Sequence, residues 1–264
     1  MTAGRTAFRA ALRAQAAEPP HLVTVTGASL PAWAWHLAAA LHDLLPADVA
    51  DDWAARLHTL LTGQSPTRGL YAVHRWQAGT VLPLPARTSH ARDTAAVTAL
   101  ADLHTSAARG TPTGQDAWLT ALTPVLLRLH DAAYDRASAY AQSHTAARDF
   151  ALANGFSATE ADAYAHEYAR LSSGANARAF AESHAQALGE ALALAHAYAY
   201  ATDSCEAYTE TFPSAQVRAV VRAVAGTAAT GTTSPSTVRL ADGLLTALRP
   251  VGRRDRGSTA DHGC

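Results

Sequence analysis

His196, Tyr200 and Asp203 recur at intervals of four and three residues in a segment, about 176–211, whose alanine-rich periodicity predicts one long helix. That spacing puts all three on one face, and Glu182 and Gln186 begin the same stripe two turns earlier. A carboxylate that orients an imidazole, with a phenol between them, is a workable acid–base set, because an unperturbed imidazole titrates near neutral pH. The competing reading is the solvated face of an alanine-rich helix. Asp162 and His166 form a second pair four residues apart, which either share a surface hydrogen bond or face a pocket. The expected catalytic residues are therefore His196, Tyr200, Asp203, His166 and Asp162. The other helical histidines, such as His104 and His130, stand singly and read as surface or satisfied core residues.

Metal chemistry finds less support. A carboxylate-bridged di-metal site in a helical bundle needs Glu-x-x-His on two helices. The one literal match is Glu18-Pro-Pro-His21, and its two prolines prevent a helix. Asp131 and Asp135, with Asp48, Asp51 and Asp52, are short acidic clusters of the kind that hold magnesium for a diphosphate. Prenyl-type diphosphate chemistry is thus a third functional reading. The Asp48–Asp52 cluster is equally explained as acids favoured at a helix start.

The composition removes whole classes of chemistry. All 21 basic residues are arginine, since the sequence contains no lysine. No Schiff base can form on a side chain, so pyridoxal-phosphate chemistry and lysine-dependent aldol chemistry are excluded. The phosphate-binding lysine of a P-loop and the kinase lysine are missing too. There is no G-x-S-x-G elbow and no G-x-G-x-x-G after a strand. The two cysteines, Cys205 and the terminal Cys264, predict neither a structural disulfide nor a cysteine-built zinc site. No cofactor and no resident metal are expected. A formal net charge of −1 gives no basic excess for nucleic acid, and no apolar run reaches membrane-spanning length. The start of the chain lacks the apolar core of a signal peptide, so a cytoplasmic location is expected. Absence of lysine and isoleucine reads as the codon bias of a GC-rich bacterial genome.

These residues must be positioned by a mainly α fold: a multi-helix bundle, with long alanine-rich helices in the C-terminal half and a minor strand or hairpin element in the N-terminal third. The expected divisions are a mixed, mostly helical region over 1–110, a helical bundle over 111–250 and a disordered tail over 251–264. Helices are predicted over about 3–17, 31–45, 48–62, 90–108, 115–153 with a bend near Pro124, 158–171, 176–211, 214–225 and 235–249. His21–Thr26 alternates as a strand, and 70–84 reads as a short hairpin around Gln77-Ala78-Gly79. Asn154-Gly155 is a helix stop, and Ser157-Ala-Thr-Glu160 is a capping box that starts the next helix. Tyrosines and phenylalanines of the C-terminal helices, including Tyr134, Tyr140, Phe150, Phe156, Tyr168, Phe180, Tyr198, Tyr200, Tyr208 and Phe212, are expected to supply core bulk that alanine does not, with a ligand pocket as the second reading.

The sequence thus suggests a cofactor-independent enzyme of specialised metabolism, with acid–base chemistry in a helical pocket and a small-molecule or peptide substrate. Its rival is a non-enzymatic helical binding or scaffold protein with a protein partner, suited to alanine-rich helix faces. The two differ in what they require: an inward polar stripe for the first, a broad exposed apolar patch for the second.

Overall fold

The computed structural model describes residues 2–14, 22–25, 28–62, 69–86, 91–133, 136–172, 177–225 and 235–250. Glu18–His21, Asp135, Cys264 and the tail from 251 lie outside them. The fold is mainly α-helical, as the sequence predicts. Helix α1 (Thr2–Ala14) precedes an antiparallel strand pair, β1 (Leu22–Val25) and β2 (Ala28–Pro31), in register Leu22 to Pro31 and Val25 to Ala28. Then follow α2 (Ala32–Leu44), α3 (Ala47–Leu61), α4 (Tyr71–Trp76), a π-helical turn (Gln77–Val81) and α5 (Pro83–Ala86). After these come α6 (Ala91–Ala107), α7 (Gln115–Ala132), α8 (Arg136–Ala153), α9 (Ala158–Ser172), α10 (Ala177–Ala201), α11 (Cys205–Thr209), α12 (Pro213–Ala225) and α13 (Pro235–Leu248).

Helix α2 is the centre of the N-terminal packing. Trp33, Trp35, Leu37, Ala38 and Leu41 are all buried, so the helix is apolar on more than one face, as an enclosed helix must be. It packs against α1, α3, α11, α12 and α13. Two indoles tie neighbours to α13: Trp53 of α3 donates to the carbonyl of Ala241 at 2.9 Å, and Trp76 of α4 to that of Leu240 at 3.0 Å. Arg75 of α4 closes the C-terminal end of α13 by donating to the carbonyls of Ala247 and Arg249.

The hairpin expected over 70–84 is corrected. The segment is helical, and the strand pair lies at 22–31 instead. Leu70, Val73 and Trp76, spaced by three, share one buried face, and Pro83 sits at a helix start, where its missing N–H costs nothing. The long helix expected over 115–153 is two helices, α7 and α8, and Pro124 lies within α7. Cys205 is buried and disulfide-bonded, against the expectation of no structural disulfide. The other cysteine, Cys264, lies outside the described residues.

In the C-terminal half α7 packs along α10, whereas α8 and α9 pair chiefly with each other. Their connection carries both caps read from the sequence. Gly155 has φ +85°, and the amides of Gly155 and Phe156 donate to the carbonyls of Leu152 and Ala151, which is a Schellman stop. The Ser157 amide then donates to the Glu160 carboxylate at 2.9 Å, and the Glu160 amide points back to the Ser157 hydroxyl at 3.4 Å.

Candidate functional site

Helix α10 stops earlier than its alanine run suggests. The amide of Ser204 donates to the carbonyl of Ala199 and that of Asp203 to Tyr200, again the Schellman pattern. The left-handed position is filled by Asp203, φ +49°, where glycine is usual. This break is the physical reason that Asp203 leaves the His196–Tyr200 stripe. Its carboxylate turns to another chain segment and accepts the amide of Leu70 at 2.7 Å. Gly69, φ +61°, passes so close that a Cβ there would lie 2.4 Å from an Asp203 oxygen. Asp203 therefore holds the turn that starts α4, the helix that carries His74, and does not orient an imidazole.

His196 and Tyr200 do point inward, and the structure surrounds them with rings from other helices. His74 of α4 and His104 of α6 meet Nδ1 to Nδ1 at 2.9 Å. His74 stacks on Trp118 of α7 at 5.6 Å between centroids, and Tyr200 lies 4.9 Å from both His104 and Trp118. Tyr208 of α11 continues the cluster to His196, Tyr200 and Trp33 at 5.9, 5.7 and 6.0 Å. All seven side chains are buried. Six helices and the π-helical turn, which contributes Gln77, thus converge on one polar aromatic centre.

Burial sets the charge state of this centre. Desolvation lowers the pKa of His74 to about 4. His104 is driven well below its ordinary value by desolvation first, then by the charges that His74 and His196 would carry. His196 falls to about 4 through desolvation, despite help from its bond to Leu192. Tyr200 and Tyr208 are pushed up by the same cause, so both phenols keep their protons. In a neutral imidazole pair, one Nδ1 donates and the other accepts. His196 donates through Nδ1 to the Leu192 carbonyl at 2.8 Å, which leaves Nε2 as a bare acceptor. Gln216 lies near that ring, and Gln77 and Tyr200 lie near the Tyr208 hydroxyl, yet none closes a bond of hydrogen-bond geometry. His196 Nε2, the Tyr208 hydroxyl and the indole nitrogens of Trp33 and Trp118 are buried without a hydrogen bond. Each such group costs about 1–3 kcal/mol, so the centre is an unusual concentration of unspent polarity.

Asp162 and His166 lie elsewhere, exposed on α9. Asp162 accepts from Arg148 at 2.5 Å, and His166 meets the Tyr140 hydroxyl at 2.7 Å. Each pairs across the α8–α9 seam, not with the other. The acidic cluster at the start of α3 is engaged by arginines: Asp51 by Arg9 at 3.2 Å and Arg13 at 2.6 Å, Asp52 by Arg56 at 3.8 Å. Among the described residues no three histidines, cysteines or carboxylates gather as a metal site. An open cleft of about 420 Å³ lies apart from the aromatic centre, between Arg5, Asp52, Arg56, Thr59, Leu245 and Arg249. It shares Asp52 with the acidic cluster of α3 and no residue with the His196–Tyr200–Asp203 stripe or the Asp162–His166 pair.

A different surface stands out on the α8–α9 hairpin. Its seam is made of alanine: Ala147 and Ala151 from α8, Ala161, Ala165 and Ala169 from α9, all buried. The large apolar residues are on the outside. Phe150 is 60% exposed, Phe156 45%, Tyr164 40%, Tyr168 50% and Leu171 60%. The expectation that Phe150, Phe156, Tyr168, Tyr198 and Phe212 fill the core is therefore corrected, because all five are exposed. Rings of Phe150 and Phe156 lie 6.5 and 6.0 Å from Tyr164, which lies 6.2 Å from Tyr168, so the outer residues form one continuous strip.

The sequence reading missed His74, Gln77, Trp118, Tyr208 and Gln216 as members of the centre. The spacing by three of Leu70, Val73 and Trp76 was the available signal for the helix that brings in His74 and Gln77. No family model, no curated protein and no solved structure matches this chain. Among the described residues no helix is long and apolar enough to cross a membrane.

Proposed function

We propose that the protein is a helical binding protein that works by association through the outer face of its α8–α9 hairpin. The observation that carries this reading is the inverted hairpin: alanines in the seam and six large apolar side chains in water, Leu152 and the five of the strip. Burial of apolar area is the main gain of folding, at about 25 cal/mol per Å². A pair of helices that keeps its largest apolar residues outside forgoes most of that gain until another surface covers them. The polar residues alongside do not ask for a charged partner, since Arg148 pairs with Asp162 and Arg170 with Glu167 within the hairpin. The test is site-specific photo-crosslinking in the producing cell, with the photoreactive residue at 168 or 171 and, as control, at exposed Arg239 on α13. Discrete adducts of defined mass from 168 and 171 but not from 239 are expected. Equal, diffuse labelling from all three sites defeats the reading.

A second reading, the acid–base enzyme, draws on the buried centre. His196 Nε2 offers a bare lone pair beside two protonated phenols, and both partners of a proton transfer are thereby in their required states. Two observations weigh against it: the centre is closed to solvent, and a base with pKa about 4 is weak at neutral pH. Diethyl pyrocarbonate separates the cases. A working site must open, so His196 should be modified in the folded protein faster than global unfolding allows. Protection up to the unfolding rate would reduce the centre to packed core.

A further inference from the structure

We infer that the occupant of this apolar strip is a second copy of the chain, joined by the α8–α9 hairpins into a two-fold four-helix bundle. This rests on the binding reading above and names its partner. Tyr164, Tyr168 and Leu171 stand at i, i+4 and i+7, the spacing at which one helix presents a continuous seam to another. Phe150 and Phe156 widen that seam on the α8 side. Five side chains about half exposed, each worth ~150–250 Å² when covered, offer on the order of 500 Å² per copy. A symmetric pair then buries about 1,000 Å², the lower bound for a specific interface, before the neighbouring polar rim is counted.

The chemistry favours self-association over a charged or strongly polar partner. The ion pairs Arg148–Asp162 and Arg170–Glu167 are closed within each hairpin, so four of the charges beside the strip are already compensated when two copies meet. Glu160 is already held by Ser157. A two-fold contact uses the same patch on both copies and closes after two, so none of the strip's residues is left to propagate a filament. Two α-hairpins of matched length, 18 and 15 residues, supply the four helices of an antiparallel bundle. The alanine seam within each hairpin then becomes its thin inner layer, and the aromatic strip becomes the bundle core.

The experiment is sedimentation velocity of the full chain over ~1–100 μM, with the double variant Tyr164→Asp/Tyr168→Asp and the control Leu194→Asp on the outer face of α10. Wild-type protein should sediment at twice the chain mass, with Leu194→Asp unchanged. The double variant should be monomeric, with a dissociation constant raised at least ~100-fold, as for loss of two central aromatic contacts. Circular dichroism checks that its helix content is retained; should it drop, Tyr164→Ser/Tyr168→Ser replaces it in the same assay. Wild-type protein that stays monomeric at 100 μM overturns the inference, as does a dimer that the folded double variant retains. The two proposals fail separately. A monomer in solution that still gives discrete adducts with another protein at 168 refutes the second copy and leaves the binding reading standing.

Discussion

Moving the protein from pH 7.5 to pH 5 should remove a large part of its stability, and the magnitude follows from three buried imidazoles. His74 and His196 have folded pKa values of about 4 against about 6.5 when unfolded, and His104 is shifted in the same direction. Each ring is neutral in the folded protein throughout this range. The unfolded chain binds protons first, so stability is complete above about pH 6.5 and is lost as the pH falls from there towards 4. Between pH 6.5 and 5 His74 and His196 each forfeit about 2 kcal/mol, at 1.36 kcal/mol per pH unit. His74 and His196 together approach about 4 kcal/mol, and His104 adds to the loss in the same direction, against a total stability of about 5–15 kcal/mol for a typical domain.

Among the described residues Glu160 and Glu167 are lowered and titrate below that window, being held by Ser157 and Arg170 respectively. Urea unfolding followed by tryptophan fluorescence and far-ultraviolet circular dichroism at pH 7.5, 6 and 5 gives the measurement. The midpoint should fall at each step with little change in slope. A loss below about 1 kcal/mol between pH 7.5 and 5 would refute the argument, because it would mean that the rings are hydrated or paired in a way that spares the charged form. His104→Phe, which removes one of the rings without adding a polar atom, should flatten the profile.

Two further perturbations probe how the centre is assembled. Asp203→Ala leaves the Leu70 amide without its acceptor at the start of α4 and should cost about 1–3 kcal/mol in urea unfolding, while Gly69→Ala, which meets both a positive φ and an Asp203 oxygen, should cost at least as much. Gly243→Ala places a methyl 2.3–2.7 Å from the Thr80 side chain in the π-helical turn, so it should be destabilising by about 1–3 kcal/mol, and Thr80→Ala in the same chain should restore most of the loss in a double-mutant cycle.

Where structure is set by neighbours in sequence, the residues announce it. The Ser157–Glu160 box and the Gly155 stop fix the α8–α9 connection with groups three to five residues apart, and Pro235 opens α13. The alternation of residues 21–26 likewise marks β1. Where a stop is made by an unusual residue, the reading overruns: Asp203 in the left-handed position ends α10, and a pattern that expects glycine there continues the helix to 211. The aromatic centre was half legible for the same reason. His196 and Tyr200 share a helix face and so declare each other, but His74 and His104 lie 30 residues apart, and Leu70 and Asp203 lie 133 apart. Only tertiary packing joins them.

The misassigned aromatics carry the stronger lesson. Alanine suits either a buried or an exposed helix face, so in an alanine-rich helix the large residues alone suggest which side is inward. On α9 that rule selects Tyr164, Tyr168 and Leu171 for the core, and the single chain instead buries Ala161, Ala165 and Ala169. Both patterns have helical spacing, and only one can face α8. Small residues win that position because they let two backbones approach closely, and this turns the aromatics out to a flank of the hairpin that the single chain leaves in water. A pattern that designates core residues which the monomer leaves in water is resolved if the core they belong to forms between two chains. The failure of the sequence rule at α9 and the proposed hairpin dimer therefore have one physical cause, and the sedimentation of Tyr164→Asp/Tyr168→Asp decides both.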